Sequence, residues 1–436
     1  MRTISSLLCI AFLSWFGHGQ KIILVIADGL SGRELHKFLQ LEAFRDFAEE
    51  GVLSTKLYPV FPTLPLPNRH TLLTGAAPRR HGIIGEHILN WRTGETFDNF
   101  SSETDLEHGR WWTTEPVYVT AAKQKATVAL LYFPECRVHW PVKFALCIPD
   151  TPSVSLTSDG EVERVMRLAE TYDLILIRES ALFDEISSIG PERYNLLTSD
   201  RMKKLSLKLE KLLSLARERV DVNVIFVSLH GMLELQADNA RSLDDYLPME
   251  MVARTVGEGA FMQIIGKPGK THQIYSQLHN HSPIPHVTAY YTAPKAGDLP
   301  SFYNYRLSST VSDLVLIADP GHAIYTLDDN KRFPNSSRGL PAALPGYNAK
   351  LPEMLGVFAA FGPVFRRSYT KSALEVADVY VLLCTVLKLH NCNPTTGSIR
   401  RIEDIFAKPT SSATPNTMNT SLLTLFAMLT SMVIKP

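Results

Sequence analysis

The sequence has no prevailing charge: 44 Lys and Arg stand against 44 Asp and Glu in 436 residues. Without a basic excess, a nucleic-acid polymer finds no electrostatic attraction, and that class of partner is not expected. Cysteine is scarce, five in all, and no CxxC spacing occurs, which argues against a cysteine-type zinc cluster. No internal repeat and no long low-complexity tract is found. With 45% hydrophobic and 20% charged residues the chain is not disordered but carries enough apolar material for a large core. No linker divides residues 20–405, so one large α/β domain fits the length as well as two or three smaller ones.

Both ends are apolar. Arg2 precedes an uncharged run from Ile4 to Phe16, then Gly17-His18-Gly19. A basic start, a compact apolar stretch and small residues describe a secretory signal peptide over residues 1–19. At the other end Leu422–Ile434 carries no charge. Its length is about two-thirds of what a helix needs to cross a bilayer of roughly 30 Å. Ser411-Ser412-Ala413 and a polar spacer precede it, the pattern of a GPI-attachment signal, with a short membrane span as the alternative. Residues 409–421 read as a Ser/Thr/Pro stalk or spacer, and 422–436 as the apolar tail. The expected location is the secretory pathway and then the extracellular face of the plasma membrane, with membrane contact through this anchor.

An oxidising compartment makes sense of the cysteines. Cys9 leaves with the signal. Cys136, Cys147, Cys384 and Cys392 remain, and four cysteines allow three pairings. The local choice, Cys136 with Cys147 and Cys384 with Cys392, closes two short loops and is the expected one. N-glycosylation sequons stand at Asn99, Asn280 and Asn335, and at Asn419 inside the spacer.

Six apolar runs have strand length: Ile22–Ala27, Thr127–Tyr132, Leu174–Ile177, Val222–Ser228, Leu314–Ala318 and Val357–Phe361. Continuous rather than alternating apolar residues suggest strands buried on both faces. Helical spacing lies between them. Ser158 and Glu161 offer a capping box, followed by Val162, Val165, Met166 and Ala169. Over Met202–Val220, Leu205, Leu209, Leu212, Leu213 and Ala216 make one stripe, with Lys203, Lys204, Lys208, Lys211 and Arg217 largely outside it. Strand–helix alternation predicts a mostly parallel sheet with helices on both faces, and such sheets carry their chemistry at the carboxyl ends of the strands.

The first strand ends in Ala27-Asp28-Gly29. Phe61-Pro62-Thr63-Leu64-Pro65-Leu66-Pro67-Asn68 follows, then Thr74-Gly75, Pro78 and His81-Gly82-Ile83. The Val222 strand closes with Ser228-Leu229-His230-Gly231-Met232. Further echoes are Gly190-Pro191 after Asp184, Pro285-His286-Val287, Ala318-Asp319-Pro320-Gly321, and Met354 before Phe361-Gly362-Pro363. In this order, from Lys21 to Phe406, the segments resemble the nucleotide pyrophosphatase/phosphodiesterase family of the alkaline phosphatase superfamily. The resemblance implies a three-layer α/β fold over residues 20–408. It also implies two zinc ions, a Thr nucleophile activated on one of them, and a nucleotide or phospholipid-headgroup ligand.

Carried over position by position, the resemblance leaves a reduced site. Asp28 matches a metal ligand, and His230 keeps its imidazole. Asp184 matches a ligand Asp with a one-residue gap, but no His follows it. Leu229 stands where the family has a ligand Asp, and Pro345 where it has a late ligand His. Pro65 holds the nucleophile position and has no hydroxyl. Asn68 matches the asparagine that helps hold the phosphoryl oxygens. Thr63 and Thr71 are the neighbouring hydroxyls, and His279, His281, His286 and His322 are spare imidazoles. At most one zinc ion is therefore expected. The expected function is a phosphodiesterase-like pseudoenzyme with a binding or interaction role. An active ectophosphodiesterase with displaced ligands and a cell-surface adhesion protein are the alternatives.

Overall fold

The first apolar run forms β1 (Lys21–Ile26), whose side chains alternate between two cores. Ile23 and Val25 pack with one set of helices, and Ile22, Leu24 and Ile26 with another. A strand buried on both faces needs no polar alternation, which is why the run reads as continuous. The computed structural model describes residues 19–408, apart from 107–109, 152–153, 293–296, 306–308 and 334–339. Most of the expected signal peptide, the segment from 409 onward and the sequon at Asn335 lie outside the described residues.

The central sheet also contains β2 (Val52–Tyr58), β3 (Val128–Leu131), β4 (Leu146–Ile148), β5 (Leu174–Arg178) and β6 (Val222–Ser228). Five further strands, β7 (Val252–Val256), β8 (Phe261–Gly266), β9 (Val287–Tyr291), β10 (Leu314–Ala318) and β11 (Arg332–Phe333), form a second sheet. The central sheet is completed by β12 (Gly356–Phe361), β13 (Tyr369–Thr370) and β14 (Leu374–Glu375). Its order is β13-β2-β12-β6-β1-β5-β3-β4, with β14 also on β2. Neighbours are parallel except at β12, which runs antiparallel to β6 and β2.

Helices α1 (Glu42–Glu50), α4 (Glu161–Leu168) and α6 (Asp200–Glu218) cover one face. Helices α2 (Pro65–Thr74), α3 (Val117–Lys123) and α7 (Val376–Val386) cover the other. Helix α5 (Ala181–Ile189) follows β5. This is the three-layer, alkaline-phosphatase-like α/β arrangement. The expected α6 stripe is buried, from Met202 through Leu205, Leu209, Leu212 and Leu213 to Ala216.

Three local expectations need correction. Leu314–Ala318 is a strand, but it pairs antiparallel with β8 and β9 in the second sheet rather than joining the parallel one. The α4 capping box does not form: the N-cap is Gly160 at φ +78°, and the Ser158 hydroxyl accepts from Ser155 N–H instead. Glu161 is the first helical residue, and its carboxylate accepts from the Tyr132 hydroxyl. Lys208 is buried rather than outside the stripe, and its charge acts on Glu163 of α4. An aliphatic stem with a charged end packs this way without exposing its length.

Both expected disulfides are present. Cys136–Cys147 joins the segment after β3 to β4, and Cys384–Cys392 joins α7 to the loop beyond it. The Asn99 and Asn280 side chains are exposed.

Candidate active site

Parallel pairing brings the carboxyl ends of β1 and β6 together, and with them Asp28 and the Leu229-His230 pair. Asp28 Oδ1 accepts from Leu229 N–H at 3.0 Å, and Gly29 N–H donates to the His230 carbonyl at 3.0 Å. The His230 ring is buried. Its Nδ1 lies 2.9 Å from the Gly231 carbonyl, which can only accept, so the proton sits on Nδ1. In that tautomer the neutral ring leaves its lone pair on Nε2, which is buried and without a partner among the described residues. Leu229 itself is fully buried in the core shared with α2 and α7.

The segment before α2 is held by Asn68. Its Oδ1 accepts from Val60 N–H at 2.7 Å, and its Nδ2 faces the carbonyls of Val60, Pro62 and Leu64 at 3.2, 3.2 and 3.0 Å. Pro65 is the first helical residue, where its missing N–H and fixed φ suit the helix start. Both neighbouring threonines are engaged. Thr63 Oγ1 donates to the Tyr347 carbonyl and accepts from Gly346 N–H, each at 2.9 Å. That contact joins the segment before α2 to the Pro345 turn. Thr71 Oγ1 lies 3.0 Å from His81 Nε2. His81 Nδ1 accepts from Ile83 N–H at 3.1 Å, so Nε2 carries the proton and donates to Thr71. Burial pushes the His81 pKa down to about 3. It pushes His70 well below the usual histidine range too, with the charges of His81 and Arg69 adding to the effect.

A buried ion pair that the sequence motifs did not single out lies beside Asp28. Arg69 Nε donates to Glu135 Oε1 at 2.9 Å, with side chains 2% and 0% exposed. Burial alone would depress the Arg69 pKa. Glu135, Glu86 and Asp28 together more than offset this, and the guanidinium ends above its ordinary value. Arg178 ends β5 in register with Ile26, two residues before Asp28. Burial, then Arg69, pull its pKa down, while Glu135, Asp150 and Asp28 pull it up. Two guanidinium groups, Arg69 on α2 and Arg178 at the end of β5, thus act electrostatically with Asp28. The available signals were an Arg directly after Asn68 and an apolar strand ending in Arg178-Glu179.

Residues 22–348 match the family described as type I phosphodiesterase/nucleotide pyrophosphatase. The chain belongs to this family. It is 26% identical over 419 residues to the human ectonucleotide pyrophosphatase/phosphodiesterase family member 5, covering 93% of this chain and 82% of that protein. It is 24% identical over 391 residues to a human bis(5′-adenosyl)-triphosphatase, with 86% and 80% covered. Among solved structures, murine family member 5 superposes with a TM-score of 0.77 at 25% identity, over 89% of this chain and all of that one. An inactive threonine-to-alanine variant of the same murine protein, in complex with AMP, gives 0.78.

Type I phosphodiesterases of this family are metal-dependent hydrolases, and the donors present here do not suit a pair of zinc ions. Tetrahedral zinc takes about four ligands per ion, largely imidazole and carboxylate here. His230 Nε2 is available and keeps the carbonyl-supported tautomer of a ligand histidine. Asp28 is the one acidic residue of the expected set that bonds to the Leu229-His230 segment, through Leu229 N–H. Asp184 lies in the first turn of α5, on a polar cavity of about 450 Å³ with Ser155, Thr157 and Arg201 that includes neither Asp28 nor His230. His286 and His322 stack at 4.0 Å beside Asp319, next to the second sheet. His279 and His281 sit in the Gln277–His281 turn. Among the described residues, no group of three or more His, Cys, Asp or Glu side chains is placed to hold a metal ion.

Proposed function

We propose that this family member is a secreted protein, tethered at the extracellular face of the membrane, that has lost hydrolysis and acts by binding a partner. The carrying observation is Pro65 at the first position of α2, with the two nearest hydroxyls, Thr63 and Thr71, committed to buried hydrogen bonds. A hydroxyl nucleophile must give up its proton as it attacks, and proline has no hydroxyl to offer. Loss of the acidic donor at Leu229 and of an imidazole at Pro345 supports the same reading, because each cation would lose charge as well as geometry. At most one zinc ion, on Asp28 and His230, is compatible with these donors.

The test is turnover of a nitrophenyl nucleotide ester by the purified mature protein with added zinc, together with metal content. Product release no faster than without protein, and fewer than two zinc ions per chain, are expected. Zinc-dependent, chelator-sensitive hydrolysis would reject the proposal. Release of the protein from cells by a phosphatidylinositol-specific phospholipase is expected for the GPI reading, and retention after treatment favours a membrane span.

A further inference from the structure

The first turn of a helix presents unpaired N–H groups and the positive end of its dipole, and so attracts anions. In α2 that capacity is nearly gone. Pro65 and Pro67 have no N–H, and Asn68 N–H turns back to the Leu64 carbonyl at 3.3 Å. One donor remains, Leu66 N–H, and it is taken by Glu86 Oε1 at 2.7 Å. The Asn68 amide, the other polar group at this end, is spent on the chain's own backbone. Glu86 does not reach in from a loose loop. It directly precedes the strand His87–Leu89, which pairs with Thr96–Asp98 and is pinned by a 2.7 Å contact between His87 Nδ1 and Asp98 Oδ1. On its other side the turn is fixed by Ile83 N–H on the His81 ring. The Glu86 charge is also one of those that act on Arg69.

We infer that the anion seat at the start of α2 is filled from within: the Glu86 carboxylate takes the place of a phosphate, and the protein excludes phosphate esters from this end of the sheet. A carboxylate on a helix N–H is a charge-assisted hydrogen bond. An incoming phosphate would have to break it and would also meet the repulsion of the displaced carboxylate. The inference rests on the non-hydrolytic reading and sharpens it, since it moves partner binding away from the cleft and onto the outer surface.

Calorimetric titration of the mature protein with AMP and with orthophosphate, without added metal, tests it. The wild type is expected to bind neither, and the amide resonances of Leu66 and Asn68 are expected to stay in place as AMP is added. Glu86→Ala is expected to gain affinity for both by about tenfold or more, equivalent to about 1.4 kcal/mol. Glu86→Gln keeps an oxygen for Leu66 N–H but loses the charge, and should gain less than Glu86→Ala. Wild-type AMP binding that moves Leu66 or Asn68 overturns the inference. So does a pair of folded variants that bind no better than wild type, because Glu86 is then not what excludes phosphate. If Glu86→Ala does not fold, Glu86→Gln and the wild-type resonances still decide. Calorimetry reads occupancy and product release reads turnover, so this inference and the loss of hydrolysis fail separately.

Discussion

Arg69 and Glu135 form a buried pair whose two halves are unequal in their hydrogen bonding. Arg69 directs Nε at Oε1, while Glu135 Oε2 has no partner among the described residues. Removing one member of such a pair leaves an uncompensated charge in the core. Arg69→Met is therefore expected to cost about 3–5 kcal/mol, whereas Arg69→Met with Glu135→Gln recovers much of the loss. Urea unfolding of both variants checks this, and a double variant as unstable as the single one would contradict it. The neighbouring histidines set a pH dependence. The folded His81 pKa of about 3 lies below its unfolded value of about 6.5, so the unfolded chain takes the proton first. Stability from this group is complete above about pH 6.5 and is lost as pH falls toward 3. His70 shifts in the same direction. His81→Gln removes one titrating group, and its unfolding midpoint should fall less steeply with acid than that of the wild type. Equal slopes would exclude His81 as a cause. At this scale the sequence was only half legible. The motif order located Asp28, Pro65, Asn68 and His230. It could not show that Asn68 turns to its own backbone, nor that Arg69 and Arg178 converge, because those facts depend on which strand ends become neighbours.

Elements were read best where one physical signal acted alone. Unbroken apolar runs marked β1, β3, β5, β6, β10 and β12, since burial on both faces leaves no alternation to confuse. The α6 stripe was equally plain, and its consequences are testable. Leu209→Ala opens a cavity in the packed core and should cost about 2–5 kcal/mol. Leu207, two residues earlier and on the opposite side of the helix, is 51% exposed, and Leu207→Ala should stay within about 0.5 kcal/mol. Comparable losses from the two would mean that α6 does not dock as described. The reading failed where two local signals competed. Ser158 and Glu161 have the spacing of a capping box, but Ser155 N–H and the Tyr132 hydroxyl claim those side chains and Gly160 starts the helix. In the second sheet, β7 (VARTV) and β9 (VTAYY) mix polar and apolar residues, so neither gave a continuous run.

At the scale of the whole molecule, catalysis in this fold is assembled from residues on separate strand ends, and no single segment holds it. That separation is what the proposed loss of hydrolysis requires, since the cores on the two faces of the central sheet lie in different side chains from Asp28, Pro65 and His230. It also predicts that partial repair fails. Pro65→Thr with Leu229→Asp restores a hydroxyl and a carboxylate, yet Pro345 still supplies no imidazole and Glu86 still holds Leu66 N–H. The new Asp would replace a fully buried leucine, so the variant should also lose stability, since an unpaired buried charge is strongly disfavoured. No zinc-dependent turnover of a nitrophenyl nucleotide ester is expected from the double variant, and its thermal midpoint should fall below that of the wild type. Zinc-dependent hydrolysis by it would mean that two side chains suffice to rebuild the centre, and that the distributed-site account is wrong.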